Sequence, residues 1–247
     1  MPLTPAIINP VKGAHPPKLG HIALVVAAEA DLGFILRKNE KIVRYKRKLY
    51  LSNMYQVPTN TASFTLVGPI LGAPYAAMVA EALIVWGIEK IVFLGWCGAI
   101  SRTVSTGELV VPEAAIIDEG TSPNYTDRQD LPAFADSRML TIIKSELKMR
   151  DQYFHSGPIG STDAVFRETA EKVRHFRSKG ALGVEMETAA IFSVARFRTK
   201  AAGAVLIVSD ELSALTWNPG FKKPEFKRIR QKIYPIALEL CSDLADQ

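Results

Sequence analysis

Short, unbroken apolar runs alternate along this chain with longer stretches of helical spacing. Ile22-Ala23-Leu24-Val25-Val26-Ala27-Ala28, Ile91-Val92-Phe93-Leu94 and Gly203-Ala204-Val205-Leu206-Ile207-Val208 each read as a strand buried on both faces. Weaker strand signals lie at 50–55, 62–67, 109–111, 114–117 and 157–161. Helical spacing appears at 32–36, 74–86, 132–149, 168–177 and 224–244, and Met186, Ala189, Ala190, Val194 and Phe197 share one helical face. Pro74 and Gly87 punctuate the second of these helices in the favoured order. Apolar strands alternating with helices predict an α/β sheet covered on both faces.

The length, 247 residues, fits one domain, and no break in composition divides it. Residues 1–20 carry five prolines and two glycines and read as an N-terminal arm ahead of a domain at 21–247. The net charge of +5 is modest. Its basic residues cluster at 41–48, Lys222-Lys223 and Lys227-Arg228-Ile229-Arg230, read either as a solvated surface or as a local anion site. Nucleic acid is not an expected partner, because a duplex binder concentrates charge along one face. Two distant cysteines, Cys97 and Cys241, and four scattered histidines give neither a disulfide framework nor a metal spacing. With no signal pattern and no apolar run of about 20 residues, a cytoplasmic location off the membrane is expected.

Open α/β sheets bind ligands outside the carboxyl ends of their strands, so those ends hold the candidates. Gly95-Trp96-Cys97-Gly98 reads as a loop that lets backbone approach a ligand, or as a plain tight turn. Trp96 suits stacking on a flat ligand and equally suits a core position. Cys97 has no histidine nearby in sequence and reads as a small buried residue. Gly183-Val184-Glu185-Met186-Glu187 reads as the opening of a helix. Its carboxylates either accept hydrogen bonds from a vicinal diol such as ribose or complement the helix dipole. Asp210 follows a buried run, where desolvation raises an acid's pKa and suits it to general-acid work; the alternative is a helix N-cap. Asp31 has the same two readings.

Taken in order, these segments resemble the nucleoside phosphorylase and nucleosidase superfamily, over roughly residues 20–245. Gly183 to Ala190 is similar to its ribose-binding signature. Gly68-Pro69-Ile70-Leu71-Gly72-Ala73-Pro74 resembles its glycine-rich loop, with Ile70 in place of the middle glycine. Leu94 to Ala99 and Val208-Ser209-Asp210 resemble two further motifs, and Asp118 to Ser122 is similar to a loop of the uridine phosphorylase branch. The resemblance implies a single α/β domain around a mixed central sheet flanked by helices on both faces, assembled as a homodimer or hexamer. It implies cleavage of the N-glycosidic bond of a nucleoside, with no cofactor and phosphate as co-substrate. Met186 and Glu187 would hold the ribose, beside Glu185. Cys97 and Gly98 would line the base, and Val165 and Phe166 fall where the family sets an aromatic against base and sugar; Trp96 remains a substrate-binding candidate through its flat ring. Asp210 would protonate the base, assisted by Lys223.

The phosphate contacts depart from that pattern. Leu32 and Phe93 stand where the phosphorylases carry arginines, and Trp96 where they carry a serine. Gly95, Arg44 and Arg47 are the remaining candidates for the anion. Hydrogen bonds to a charged group contribute about 1.5–3 kcal/mol each, so the replacements weaken such a site strongly. The expected reaction is phosphorolysis to free base and (deoxy)ribose 1-phosphate. Hydrolysis by water activated near Asp31 and nucleoside binding without catalysis are the alternatives.

Overall fold

The computed structural model describes residues 5–40, 43, 45–128 and 131–247. Residues 5–20 hold no helix or strand. They lie on the domain through hydrogen bonds from Trp86 Nε1 to the Lys12 carbonyl (3.2 Å) and from Arg47 Nη1 to the His15 carbonyl (3.3 Å).

The first half of the domain runs β1 (Ile22–Val26), α1 (Glu29–Lys38), β2 (Tyr45–Leu49), β3 (Ser52–Pro58), β4 (Ser63–Gly68), α2 (Ala73–Val85), β5 (Lys90–Ala99) and β6 (Leu109–Asp118). The second half runs β7 (Ala133–Phe134), α3 (Ser137–Met149), β8 (His155–Thr162), α4 (Ala170–Ser178), β9 (Gly183–Glu185), α5 (Thr188–Phe197), β10 (Ala201–Glu211), β11 (Asn218–Pro219) and α6 (Pro224–Ala245). β1 pairs parallel with β4 and with β5, and β4, β3 and β2 continue antiparallel to one edge. β5 also pairs with β10 and with β9. The path from β10 through β6, β8 and β9 therefore returns to β5, and these five strands close into a ring. The sheet is mixed, as the resemblance implied.

Side chains alternate across β5: Ile91 and Phe93 join one core, Val92 and Leu94 the other. The first core packs α2 and α5 through Val79, Leu83, Ala190 and Val194. The second packs α1, α3 and α6 through Ile35, Ile143, Ile233 and Leu240. Burial on both faces is why β1, β5 and β10 read as continuous apolar runs rather than alternating ones.

Several boundaries differ from the expectation. Residues 95–98 are not a loop, because β10 pairs with β5 from Ala201↔Lys90 to Glu211↔Ala99, through a one-residue bulge between Val208 and Asp210, and keeps the strand extended. Residues 183–185 do not open a helix. They form β9, held by Gly98↔Val184 and Ser161↔Glu185, and the helix begins at Thr188. The stretch 132–149 splits, because Ala133–Phe134 pairs with β6 and Asp136 caps α3 by accepting from the Arg138 and Met139 N–H groups (3.0 and 2.9 Å). The strand expected at 50–55 is interrupted by Tyr50, at φ 51°, which turns β2 into β3. Part of the basic cluster, Tyr45–Leu49, thus forms an edge strand, while Lys41, Ile42 and Arg44 lie outside the described residues.

Candidate functional site

A cavity of about 610 Å³ opens where β1, β5, β9 and β10 end, within the range of small-molecule sites. The topology brings Trp96, Cys97 and Gly98 from β5, Glu185 from β9, Met186 and Glu187 ahead of α5, and Asp210 from β10 to its wall. Val165 and Phe166, on a 3-10 turn before α4, stand at its rim. Sequence positions spread over more than a hundred residues meet here because the strand ring gathers their ends.

Glu185 and Glu187 do different jobs. Glu185 is buried, and it accepts from the Ser161 hydroxyl and from the Glu187 and Thr188 N–H groups (2.8 and 2.7 Å). It anchors the start of α5. Glu187 is also buried and accepts from the Gly72 N–H at 2.6 Å, so the glycine-rich loop fixes the carboxylate at the cavity. Burial first, and the Glu185 charge second, push the Glu187 acid up to about 8. A ligand offering hydroxyl donors would relieve that cost, which is the chemistry expected for a diol. Cys97 has its thiol raised well above the ordinary range by burial and by the Glu185 and Asp210 charges, so no thiolate nucleophile forms.

Asp210 is held by two donors. Ser209 Oγ donates to Oδ1 at 2.6 Å and Trp217 Nε1 to Oδ2 at 2.9 Å. The loop carrying Trp217 lies on the end of β10 through Asp210↔Pro219. Gly220 permits this approach, since a Cβ there would sit 2.5 Å from the Ser209 carbonyl oxygen and 2.2 Å from Thr106 Cγ2.

Asp31 does not reach the cavity. It is fully buried beneath the Trp96 wall, where Oδ2 accepts from Trp96 Nε1 (2.7 Å) and Oδ1 from Arg230 Nε (2.8 Å) and Nη2. Arg230 also stacks on the Trp96 ring, 4.9 Å from its centroid. Both carboxylate oxygens are therefore engaged, and the expectation that Asp31 orients an attacking water is corrected. Lys223 does not assist Asp210; it pairs with Glu211 at 3.4 Å, just before α6. Gly95 is no anion cradle: it lies inside β5, with its missing side chain pointing at the Phe93 ring (2.7 Å). Arg47 turns to the arm and the Trp86 ring (5.7 Å), away from its own chain's cavity. Arg44 lies outside the described residues.

Four lining residues escaped the sequence reading. Glu168 follows the 3-10 turn, and Leu212, Trp217 and Phe221 also line the cavity. Trp96 and Phe221 rings lie 6.1 Å apart, and Trp217 and Phe221 rings 6.4 Å apart. The signal for Trp217 and Phe221 was an aromatic pair in the glycine- and proline-bearing stretch Trp217-Asn218-Pro219-Gly220-Phe221. Among the described residues, the lining holds four carboxylic side chains and no Lys, Arg or His.

The strand ring gathers a carboxylate-lined cavity at the strand ends of an α/β domain. The chain belongs to the phosphorylase superfamily, whose family model matches residues 21–233. A guanosine phosphorylase of Halorubrum lacusprofundi is 35% identical over 150 residues, which are 61% of this chain and 62% of that protein. A purine nucleoside phosphorylase of Colwellia psychrerythraea is 30% identical over 60% of this chain and 64% of its own length. The chain thus spans less than two thirds of these relatives. The fold matches the crystal structure of purine nucleoside phosphorylase from Toxoplasma gondii in complex with immucillin-H, with a TM-score of 0.82 and 17% identity over 99% of both chains.

Proposed function

We propose that this chain cleaves the N-glycosidic bond of a purine nucleoside, passing the sugar to phosphate. One observation carries the reading: Glu187, fixed by the Gly72 N–H, and Asp210, fixed by Ser209 and Trp217, line the same cavity. Met186 and Glu187 hold the sugar, Glu187 accepting its hydroxyl donors. Val165, Phe166 and Gly98 flank the base, and the Asp210 end of the cavity meets its ring nitrogens. Bond breaking leaves cationic character on the sugar, which the Glu187 carboxylate stabilises, and negative charge on the base, which a positioned acid relieves. Such an acid contributes about 10²–10⁴-fold. Phosphate as acceptor rests on the family and on the relatives named above. Its charge has to be met by cations from outside this chain's described lining, as in an assembly of copies.

Hydrolysis is the second reading, and a lining without Lys, Arg or His among the described residues favours it. A phosphate dianion loses hydration in a low-dielectric site that no lining cation among the described residues offsets, whereas water carries no charge. The two readings separate in one experiment, base release from guanosine or inosine over a phosphate titration. Saturable dependence on phosphate supports phosphorolysis; a rate indifferent to phosphate replaces it with hydrolysis.

A further inference from the structure

Glu168 is a cavity group to which neither reading above gives a task. Half-buried, it follows the 3-10 turn Val165–Arg167, two residues beyond Phe166, and shares the cavity wall with Val165, Phe166 and Gly98, the residues that flank the base. Among the described residues no hydrogen bond reaches its carboxyl, whereas Asp210 takes two. Lys172, on the first turn of α4, is engaged elsewhere: it pairs with Asp118 at 2.6 Å and reaches Thr162 Oγ1 at 3.2 Å. Burial is the first cause that pushes the Glu168 acid up, to about 7, since no protein donor offsets its lost hydration. The indole and hydroxyl donors of the lining are all engaged. Trp96 Nε1 is given to Asp31 at 2.7 Å, Trp217 Nε1 to Asp210 at 2.9 Å and Ser209 Oγ to Asp210 at 2.6 Å. Glu187 faces the sugar, and Glu185 is held by Ser161 and the start of α5. Beside the base there remains an acceptor with two oxygens and no partner.

Base edges differ in what they present to such a group. Guanine carries its N1–H and a 2-amino N–H side by side, the same parallel pair of donors with which a guanidinium grips a carboxylate through two bonds. Hypoxanthine keeps the N1–H alone. Adenine sets the lone pair of N1 beside its 6-amino group, and uracil flanks its one N–H with two carbonyl oxygens. Resting on the nucleoside-cleavage reading, we propose that Glu168 selects the base: its carboxylate accepts from the N1–H and 2-amino N–H of guanine, which makes guanosine the preferred substrate. Adenosine is disfavoured twice over, because it lacks the second donor and turns a lone pair on the carboxylate; a buried polar group left without its partner discriminates more strongly than a missing apolar contact. Asp210 keeps the task given above, and the two carboxyl groups meet different edges of one base.

The test compares wild type, Glu168→Ala and Glu168→Gln in two readouts at about pH 8, where the Glu168 carboxylate is the main form. The first is kcat/KM for base release from guanosine, inosine and adenosine with phosphate present. Wild type should rank guanosine above inosine and inosine above adenosine. A two-bond pair discriminates between bases by about 5- to 150-fold, so Glu168→Ala should lose a factor of that size for guanosine and little for adenosine. Glu168→Gln should go further and favour adenosine, because a carboxamide offers one acceptor and one donor, the match of adenine's amino group and N1. The second readout is binding of 9-deazaguanosine and 9-deazaadenosine, whose C–C bond to the sugar resists cleavage, followed by the fluorescence of Trp96 and Trp217. It should show the same order in wild type and the same reversal in Glu168→Gln. A guanosine-to-adenosine preference that Glu168→Gln leaves at the wild-type value, in either readout, overturns the inference. A Glu168-dependent order in binding, without base release from any nucleoside, overturns the cleavage reading and keeps Glu168 as the group that selects the base. No binding and no release overturns both.

Discussion

The two walls of the cavity treat acidic side chains in opposite ways. On the β1 side, Asp31 is matched by Trp96 and Arg230 and sealed beneath an aromatic ring. On the β9 and β10 side, Glu187 and Glu168 face the cavity with few donors or none, and both are pushed towards their acid forms. One wall is finished as structure; the other is left under-satisfied, which is where a ligand has something to offer. A carboxylate at a strand end is thus a candidate only after its hydrogen-bond partners are counted.

Breaking the finished wall gives the largest expected effect. Arg230→Met strands the Asp31 charge in the core and should destabilise by about 3–5 kcal/mol in chemical denaturation. The pair Asp31→Asn with Arg230→Met should lose clearly less; equal losses would show that the ion pair is not what Arg230 supplies. On the open wall, Glu187→Gln should raise KM for a nucleoside, because each lost charged hydrogen bond is worth about 1.5–3 kcal/mol, roughly 10- to 150-fold. A 2′,3′-dideoxynucleoside should show almost no difference between the two proteins, and a difference there would move the diol elsewhere. Trp96→Phe keeps the ring and removes the donor to Asp31 Oδ2, costing about 1–3 kcal/mol in stability.

The pH dependence of the free protein tests the open wall in a second way. Glu187 ionises in the unfolded chain near 4.5 and in the folded one near 8. Across that window the folded state holds a proton that the unfolded state lacks, so stability falls as pH rises. The melting temperature should therefore drop from pH 5 to pH 8, and Glu187→Gln should flatten that drop and be the more stable protein at the alkaline end. A steeper decline in the variant would contradict the raised acid.

Much of this contrast was legible along the chain, and the missing part has a common cause. β1, β5 and β10 announce themselves because burial on both faces removes polar positions from them. Asp210 stands at the end of such a run, and Met186 and Glu187 were legible through the motif from Gly183 to Ala190. β2, β8 and β9 carry no such signature: β2 is a charged edge strand, β8 is built largely from Gly, Ser and Thr, and β9 has three residues. The sealing of Asp31 was invisible because Arg230 lies 199 residues away. Glu168 looked like an ordinary first-turn acid, since only the fold sets it opposite Asp210. Local pattern reports burial; it does not report which distant partner satisfies a buried charge.

Base release, read by chromatography, tests the central claim most directly. Guanosine, inosine and adenosine are each incubated with the protein, with and without phosphate. The account predicts free purine base and sugar 1-phosphate in the tubes that contain phosphate, abolished together in the Glu187→Gln, Asp210→Asn double variant. Intact nucleoside in every tube, from a protein that still binds it, would contradict the account and leave the cavity a binding site without chemistry.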